Sequence, residues 1–588
     1  MRRLRAFIIA ATLLIGLLVA GTAFARNRSI TNLNAIADDY YWALQARQLR
    51  PNFSKRGNEA WVAKLRNLEL RLKHIKSSNL DQQSRITFKM LAGELETQRR
   101  YITRGWIKED INGTESPLHT MVSAIEASEL KSVNDWRWTI KTLKSSARFI
   151  DSYIKLLQQG IAEDRTRARD VIESSIKSLG VLTSRSKRKN PFLALEGQLE
   201  KALAGKPQLK ALRRELRAVV HDTVLPAHDK LKTFLKKEYL PHAGPLGASR
   251  ERYLHHMALH LGKKHRTPES LAEWGRREVE RLQKELLETA KKLDPNVKDV
   301  RAFMGRINRQ KSTKYESGQA LIDATQKEIT RSNELARMHL ALPKSKVTVT
   351  RVPKHQEATV AAQYMPTGDM TGTMMVNTGK LLKGQRRYDL ATLVTHEVAA
   401  GHHVAAMYAE KQKDLPAYRV GHANTAFDEG WALYSEQLRD DQRKGFTPYE
   451  RIGFLVNHLW RAARLVVDTG LHTGAMTRTQ AVRYFRTSTF TDKVTAEAEI
   501  QRYIDWPGQA LAYYVGKRRM LKTRRAVKRI LGEHYDARKF HAKLLSQGSI
   551  PPERLHKVMV KWANRRLGQV ARTRPRTRTR VRTRRARR

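Results

Sequence analysis

From about Asn27 to Ala341 apolar residues recur every three or four positions, the period of helices that bury one face. The stretch LAEWGRREVERLQKELLETAKKL, residues 271–293, shows it. Leu271, Trp274, Val279, Leu282, Leu286 and Leu287 fall on one broad stripe, and charges occupy the other face. Short breakers separate such helices: GKPQ near 205, LPHAGPLG near 240 and LDPN near 293. The pattern changes at about Leu342. KVTVTRV (346–352) alternates and is β-branched, which predicts a strand, and ATVAAQYMP (358–366) and GTMMVNT (372–378) predict two more short ones. Helical periodicity resumes at about Asp389 and runs almost to the end. Leu393, Val394, Val398 and Ala405 predict one buried helix over 389–410. The expectation is a mainly α chain with a small sheet beside a histidine-bearing helix. A sheet edge over a cleft can hold an extended peptide by main-chain hydrogen bonds.

The two ends follow other patterns. MRRLR precedes twenty apolar residues that close on Ala23-Phe24-Ala25, which predicts a signal peptide over 1–25 cut after Ala25. Left uncut, that run is near the ~20 residues that span a bilayer and would anchor the chain. The other end, from Arg572, carries ten arginines in RTRPRTRTRVRTRRARR and predicts a disordered tail over 567–588. Between the ends, 26–341 reads as a helical N-terminal region and 342–566 as the region that bears the chemistry.

Composition sharpens this picture. Lys and Arg number 112 against 57 Asp and Glu, a net +55, and removing the ten tail arginines leaves +45. Such a chain is drawn to polyanions, so anionic envelope polymers or lipid are the expected partners of the tail. No finger, helix-turn-helix or RNA-binding signature accompanies the charge, so no specific nucleic acid is expected. Cysteine is absent, so any metal must be held by histidine and carboxylate. The leader implies a periplasmic or secreted protein, or one held by an uncleaved leader.

LVTHEVAAGHHVAAMY, 393–408, carries the candidate chemistry. It begins like His-Glu-x-x-His, in which histidines at i and i+4 reach one zinc and the glutamate takes a proton from water. His396 and Glu397 are in place, but Ala400 stands where the second histidine is due. The partner is then His402 at i+6, about 120° away on an unbroken helix, or His403 at i+7, ~10.5 Å along it. Gly401 allows a local widening or break that would bring one of them round. In FDEGWALYSEQL, 427–438, Glu429 follows at the spacing of a third ligand, and Glu436 lies on the same face to support it.

HEVAAGHH followed by EGWALYSEQL resembles the bacterial domain-of-unknown-function 885 family, whose pattern is His-Glu-x-x-Pro-Gly-His-His and then Glu-Gly-Trp-Ala-x-Tyr-x-Glu. VDTGLHTGAMTRTQAV (467–482), with Asp468 and His472, and EIQRYIDWPGQALAYYVG (499–516) resemble further segments of it. The likeness covers roughly 30–565. It implies a large helical zincin-like peptidase, distantly similar to thimet oligopeptidase, angiotensin-converting enzyme and the thermostable carboxypeptidases. Those enclose a channel between helical halves and cleave short peptides. The chain departs from the pattern at Ala400, where the family has a proline that would enforce the distortion, and at Tyr514, where a basic residue is common.

The expected function is therefore an exported zinc peptidase acting on short peptides. His396, Glu429 and one of His402 and His403 would bind one zinc, and Glu397 would be general base. Tyr513 or His472 would stabilise the oxyanion. Arg502 would pair with a substrate carboxylate, Tyr514 would touch substrate, and Asp468 and Glu436 would support the site. The other expectation is a catalytically weak or inactive scaffold that binds polyanions.

Overall fold

The computed structural model describes residues 2–573 apart from 113–121, 123–124, 126–129, 188, 263–265, 354–356, 358–359, 380 and 422–423, and side chains over 26–569. The leader's side chains and the arginine run from 574 onward lie outside the described residues. The chain is mainly helical, with one three-stranded sheet. No helix among the described residues is long and apolar enough to cross a membrane.

The helix around LAEWGRREVERL spans Pro268–Lys291. Thr267 caps it and proline holds its first turn, the expected chemistry of a helix start. Its apolar stripe packs on the long helix Pro448–His472, where Gly275 sits against Leu465 and Val466. One apolar cluster joins residues from Phe53 to Val515 and a second joins Leu33 to Ala563. Both contain residues from either side of position 341. The last helix runs Pro552–Thr573, past the expected start of the tail at 567.

Three strands form in the segments expected to be extended: β1 (Lys346–Arg351), β2 (Ala362–Gly368), which starts later than the expected 358, and β3 (Thr371–Val376). Their order is β1-β3-β2, with β1 parallel and β2 antiparallel to β3, so β2 is an edge. Met374 and Val376 point inward and join Leu390, Val394 and Val398, which fastens the sheet to the histidine-bearing segment. The turn after β2 takes positive φ at Asp369 and Met370, and the Met370 N–H donates to the Glu410 carboxylate.

The single helix expected over 389–410 does not form. A helix covers Arg387–Val394, a π-helical turn covers Thr395–Ala399, and a new helix starts at His402 and ends at Glu410. The interruption builds the site.

Candidate metal centre

The π turn accepts one extra residue per turn, and Ala400 and Gly401 then leave helical geometry altogether. Ala400 does not let the helix continue, so proline is not needed for the distortion. Three buried side chains brace the widened turn and the break after it. The Trp431 indole N–H donates to the Gly401 carbonyl at 3.1 Å. The Arg439 guanidinium donates to the Ala391 carbonyl and the Thr395 hydroxyl, and the Ser435 hydroxyl reaches the Thr395 carbonyl.

The break resolves the choice between the late histidines. His402 turns toward His396, with ring centroids 4.9 Å apart and planes at 84°. Nε2 of each stands 3.5 Å from Oε2 of Glu429. The three ligand atoms lie within 4.8 Å of one another. His403 faces away: its Nδ1 bonds the Tyr364 hydroxyl on β2 at 2.7 Å and its Nε2 the Ser345 hydroxyl at 2.8 Å. It ties the new helix to the sheet.

Glu429 reaches this point because its helix, Thr425–Asp440, crosses the helix Ala512–Leu531 in backbone contact. A Cβ on Gly430 would meet the Gly516 Cα at 2.5 Å, and one on Gly516 would meet the Ala426 carbonyl at 2.0 Å. Glu429 Oε2 is buried and has no hydrogen-bond partner among the described residues. Burial alone would raise its carboxyl, but His396 and His402 hold it well below the ordinary range. Burial likewise works against a charge on His396, yet Glu429 and Glu436 outweigh it and push that imidazole up to about 10. Two imidazoles and an orphaned carboxylate oxygen, in a nest that favours positive charge, fit a divalent cation held by nitrogen and oxygen.

Behind His396 runs a buried chain of hydrogen bonds. Its Nδ1 meets Glu436 Oε1 at 2.7 Å, Glu436 Oε2 meets His458 Nε2 at 3.1 Å, and His458 Nδ1 meets Lys517 Nζ at 2.7 Å. A charged lysine only donates, so His458 Nδ1 accepts and its Nε2–H faces Glu436. Glu436 in turn takes the His396 Nδ1–H, which leaves Nε2 for a ligand. Burial, with Lys517 beside it, pushes His458 down to about 3, and burial lowers Lys517 to about 8. Glu436 thus stands where the i+7 spacing placed it. His458 and Lys517 carried no motif; only their shared approach to Glu436 reveals them.

The cluster opens on a cavity of about 780 Å³. Glu397 lines it one residue from His396, and Ala362, Tyr364 and Pro366 bring the β2 edge into its wall. Arg502 and Tyr513 line it as well, with Arg502 Nη2 3.4 Å from the Tyr513 hydroxyl and 3.0 Å from Gln509.

Three expected residues lie elsewhere. Both nitrogens of His472 are used: Nδ1 accepts the Ala248 N–H and Nε2 donates to the Tyr503 carbonyl, so no donor is left for an oxyanion. Asp468 accepts from the Tyr253 hydroxyl and the Gly508 N–H, bracing the positive-φ turn before Gln509 rather than a metal ligand. Tyr514 follows Tyr513 on one helix, and consecutive helical residues point about 100° apart. Its hydroxyl donates to Glu278 beside Trp274, in a separate pocket.

No functionally curated protein matches the chain. A solved structure described as a candidate lipoprotein from Colwellia psychrerythraea superposes with a TM-score of 0.83 at 23% identity, over 92% of this chain and 99% of that one. A candidate lipoprotein of unknown function from Shewanella oneidensis gives 0.70 at 18%, over 90% and 99%. These likenesses concern the fold. The sequence pattern described as "Bacterial protein of unknown function (DUF885)" matches residues 39–559.

Proposed function

The chain belongs to the bacterial DUF885 family, and from that premise we propose that it is an exported zinc-dependent peptidase of zincin type acting on short peptides. The observation that carries this reading is the convergence of His396, His402 and Glu429 in the wall of a cavity bordered by a free strand edge. Zinc suits the two-imidazole, one-carboxylate set and, when bound, supplies Lewis-acid activation of water and of the scissile carbonyl.

The protein's own groups do the rest. Among the described residues β2 pairs with a strand on one side only, so its outer edge can offer main-chain donors and acceptors to an extended peptide. Glu397 takes the proton of the attacking water and returns it to the leaving amine. Tyr513 offers its hydroxyl to the developing oxyanion. Glu436 holds His396 in one tautomer and orientation. Export rests on the leader pattern, and the description of both similar structures as candidate lipoproteins supports it.

A second reading, a peptidase-like scaffold that binds anionic envelope polymers, draws on the net charge of +55. Elemental analysis separates the two. The mature chain from Arg26 should hold about one zinc, absent in His396→Ala and Glu429→Ala, and Glu397→Ala should keep the metal and lose peptide hydrolysis. A parent chain that takes up no zinc when it is offered would sink the peptidase reading and leave the scaffold.

A further inference from the structure

Apart from the proposed metal ligands, and from Glu397 and Asp428, the charged residues of the cavity wall are three arginines. Arg461 and Arg464 come from the helix Pro448–His472, three residues apart and hence on one face, and Arg502 joins them. Against these three guanidiniums stands one ion-paired carboxylate, Glu499. It lies 3.0 Å from Arg464 Nη2 and 3.7 Å from Arg502 Nη1. Its Oε2 also accepts from the Trp460 indole and the Tyr503 hydroxyl.

Two of the arginine donors have no hydrogen-bond partner among the described residues. Arg464 is 5% exposed, and its Nη1 is buried without a hydrogen-bond partner. The ring of Tyr513, 4.5 Å from the guanidinium carbon, holds that group in place. Arg461 forms no ion pair among the described residues. Its Nη1 donates to Asn457 on its own helix, and its Nε is buried without a partner. The nearby carboxyl of Asp389 accepts from Asn457, and burial pushes it up to about 7 against the opposing pull of the Arg386 and Arg461 charges, so it is a weak partner for Arg461. Buried guanidinium N–H groups left unmatched are costly, and planar carboxylate is the group whose geometry they fit best.

We propose that Arg461 and Arg464 bind a carboxylate of the substrate, so that this protein selects peptides that bring a free carboxylate into the cavity. The proposal rests on the peptidase reading above and names its substrate class. Water adds across the scissile amide. The acyl side leaves as a new carboxylate, and the fragment held by the arginines leaves as an amine with the proton returned by Glu397.

The test compares three matched short peptides on the zinc-loaded protein: a free acid, its C-terminal amide, and an amide ending in glutamate. The free acid should be cut about 10- to 100-fold faster than the plain amide, as expected for one charge-assisted pairing. Arg461→Gln should erase that ratio by slowing the acid alone, and Arg461→Lys should restore part of it. Arg461 is chosen because Arg464 also holds Glu499. A glutamyl amide cut as fast as the free acid assigns the carboxylate to a side chain, and a slow one assigns it to the terminus. Equal rates for all three, or an Arg461→Gln variant that slows acid and amide alike, overturn the proposal. If none is cut, the peptidase reading fails, and calorimetric binding of acid and amide decides the subsite: tighter binding of the acid, lost in Arg461→Gln, supports it, and equal binding refutes it.

Discussion

A Cβ placed on Gly401 would stand 1.6 Å from the carbonyl oxygen of His396. His396 and the residue before His402 are therefore packed backbone to backbone, and no side chain fits between them. The φ of Gly401, −92°, is not left-handed, and the close contact is what bars a Cβ here.

Gly401→Ala must push this backbone apart. The expected result is loss of stoichiometric zinc and a fall in unfolding free energy of about 2–4 kcal/mol, the upper range for overpacking a buried site. Denaturant titration beside metal analysis checks both. An alanine variant with unchanged zinc content would show that the break tolerates a side chain.

The two late histidines should separate cleanly. His402→Ala is expected to abolish zinc binding at micromolar protein. His403→Ala should retain the metal and lose about 1–2 kcal/mol, the cost of two hydrogen bonds to Tyr364 and Ser345. Zinc per chain in the two variants is the readout, and the reverse pattern would reassign the ligand.

Glu436→Gln keeps the shape of the buried link between His396 and His458 but removes its charge. Zinc affinity should fall about 10- to 100-fold with the fold intact, the usual effect of losing the group that orients a ligand histidine. Competition with a chelator measures it, and an unchanged affinity would reduce Glu436 to a packing role.

Buried histidines should make the metal-free protein sensitive to acid. Burial pushes His472 and His541 down to about 3. Between the ordinary imidazole value near 6.5 and about 3 the unfolded chain binds a proton at each that the folded chain refuses, so stability falls as pH falls. The slope is about 1.4 kcal/mol per pH unit for each histidine. Urea unfolding at pH 7, 6 and 5 should show it, and His541→Gln should remove about one histidine's share. An unchanged pH slope in His541→Gln would mean that this imidazole charges without cost.

Much of this protein is local and therefore readable along the chain. The stripe of Leu271, Val279, Leu282 and Leu286 buries as its period requires, and alternation marks the first strand. His396, Glu397, Glu429 and Glu436 sit within two short motifs whose spacings already imply a shared face. Tertiary packing decided what those spacings leave open. The choice of His402 over His403 depends on the backbone at Ala400 and Gly401, which Trp431 and Arg439 hold from another helix. Asp468 and His472 look like site residues in their segment, yet Tyr253, Gly508 and Tyr503 take their hydrogen bonds. His458, Lys517, Arg461 and Arg464 lie on helices whose periodicity says only that one face is buried. Their meaning comes from partners far along the chain, because hydrogen bonds and charge pairs are set by distance in space, while periodicity records only which side of a helix avoids water.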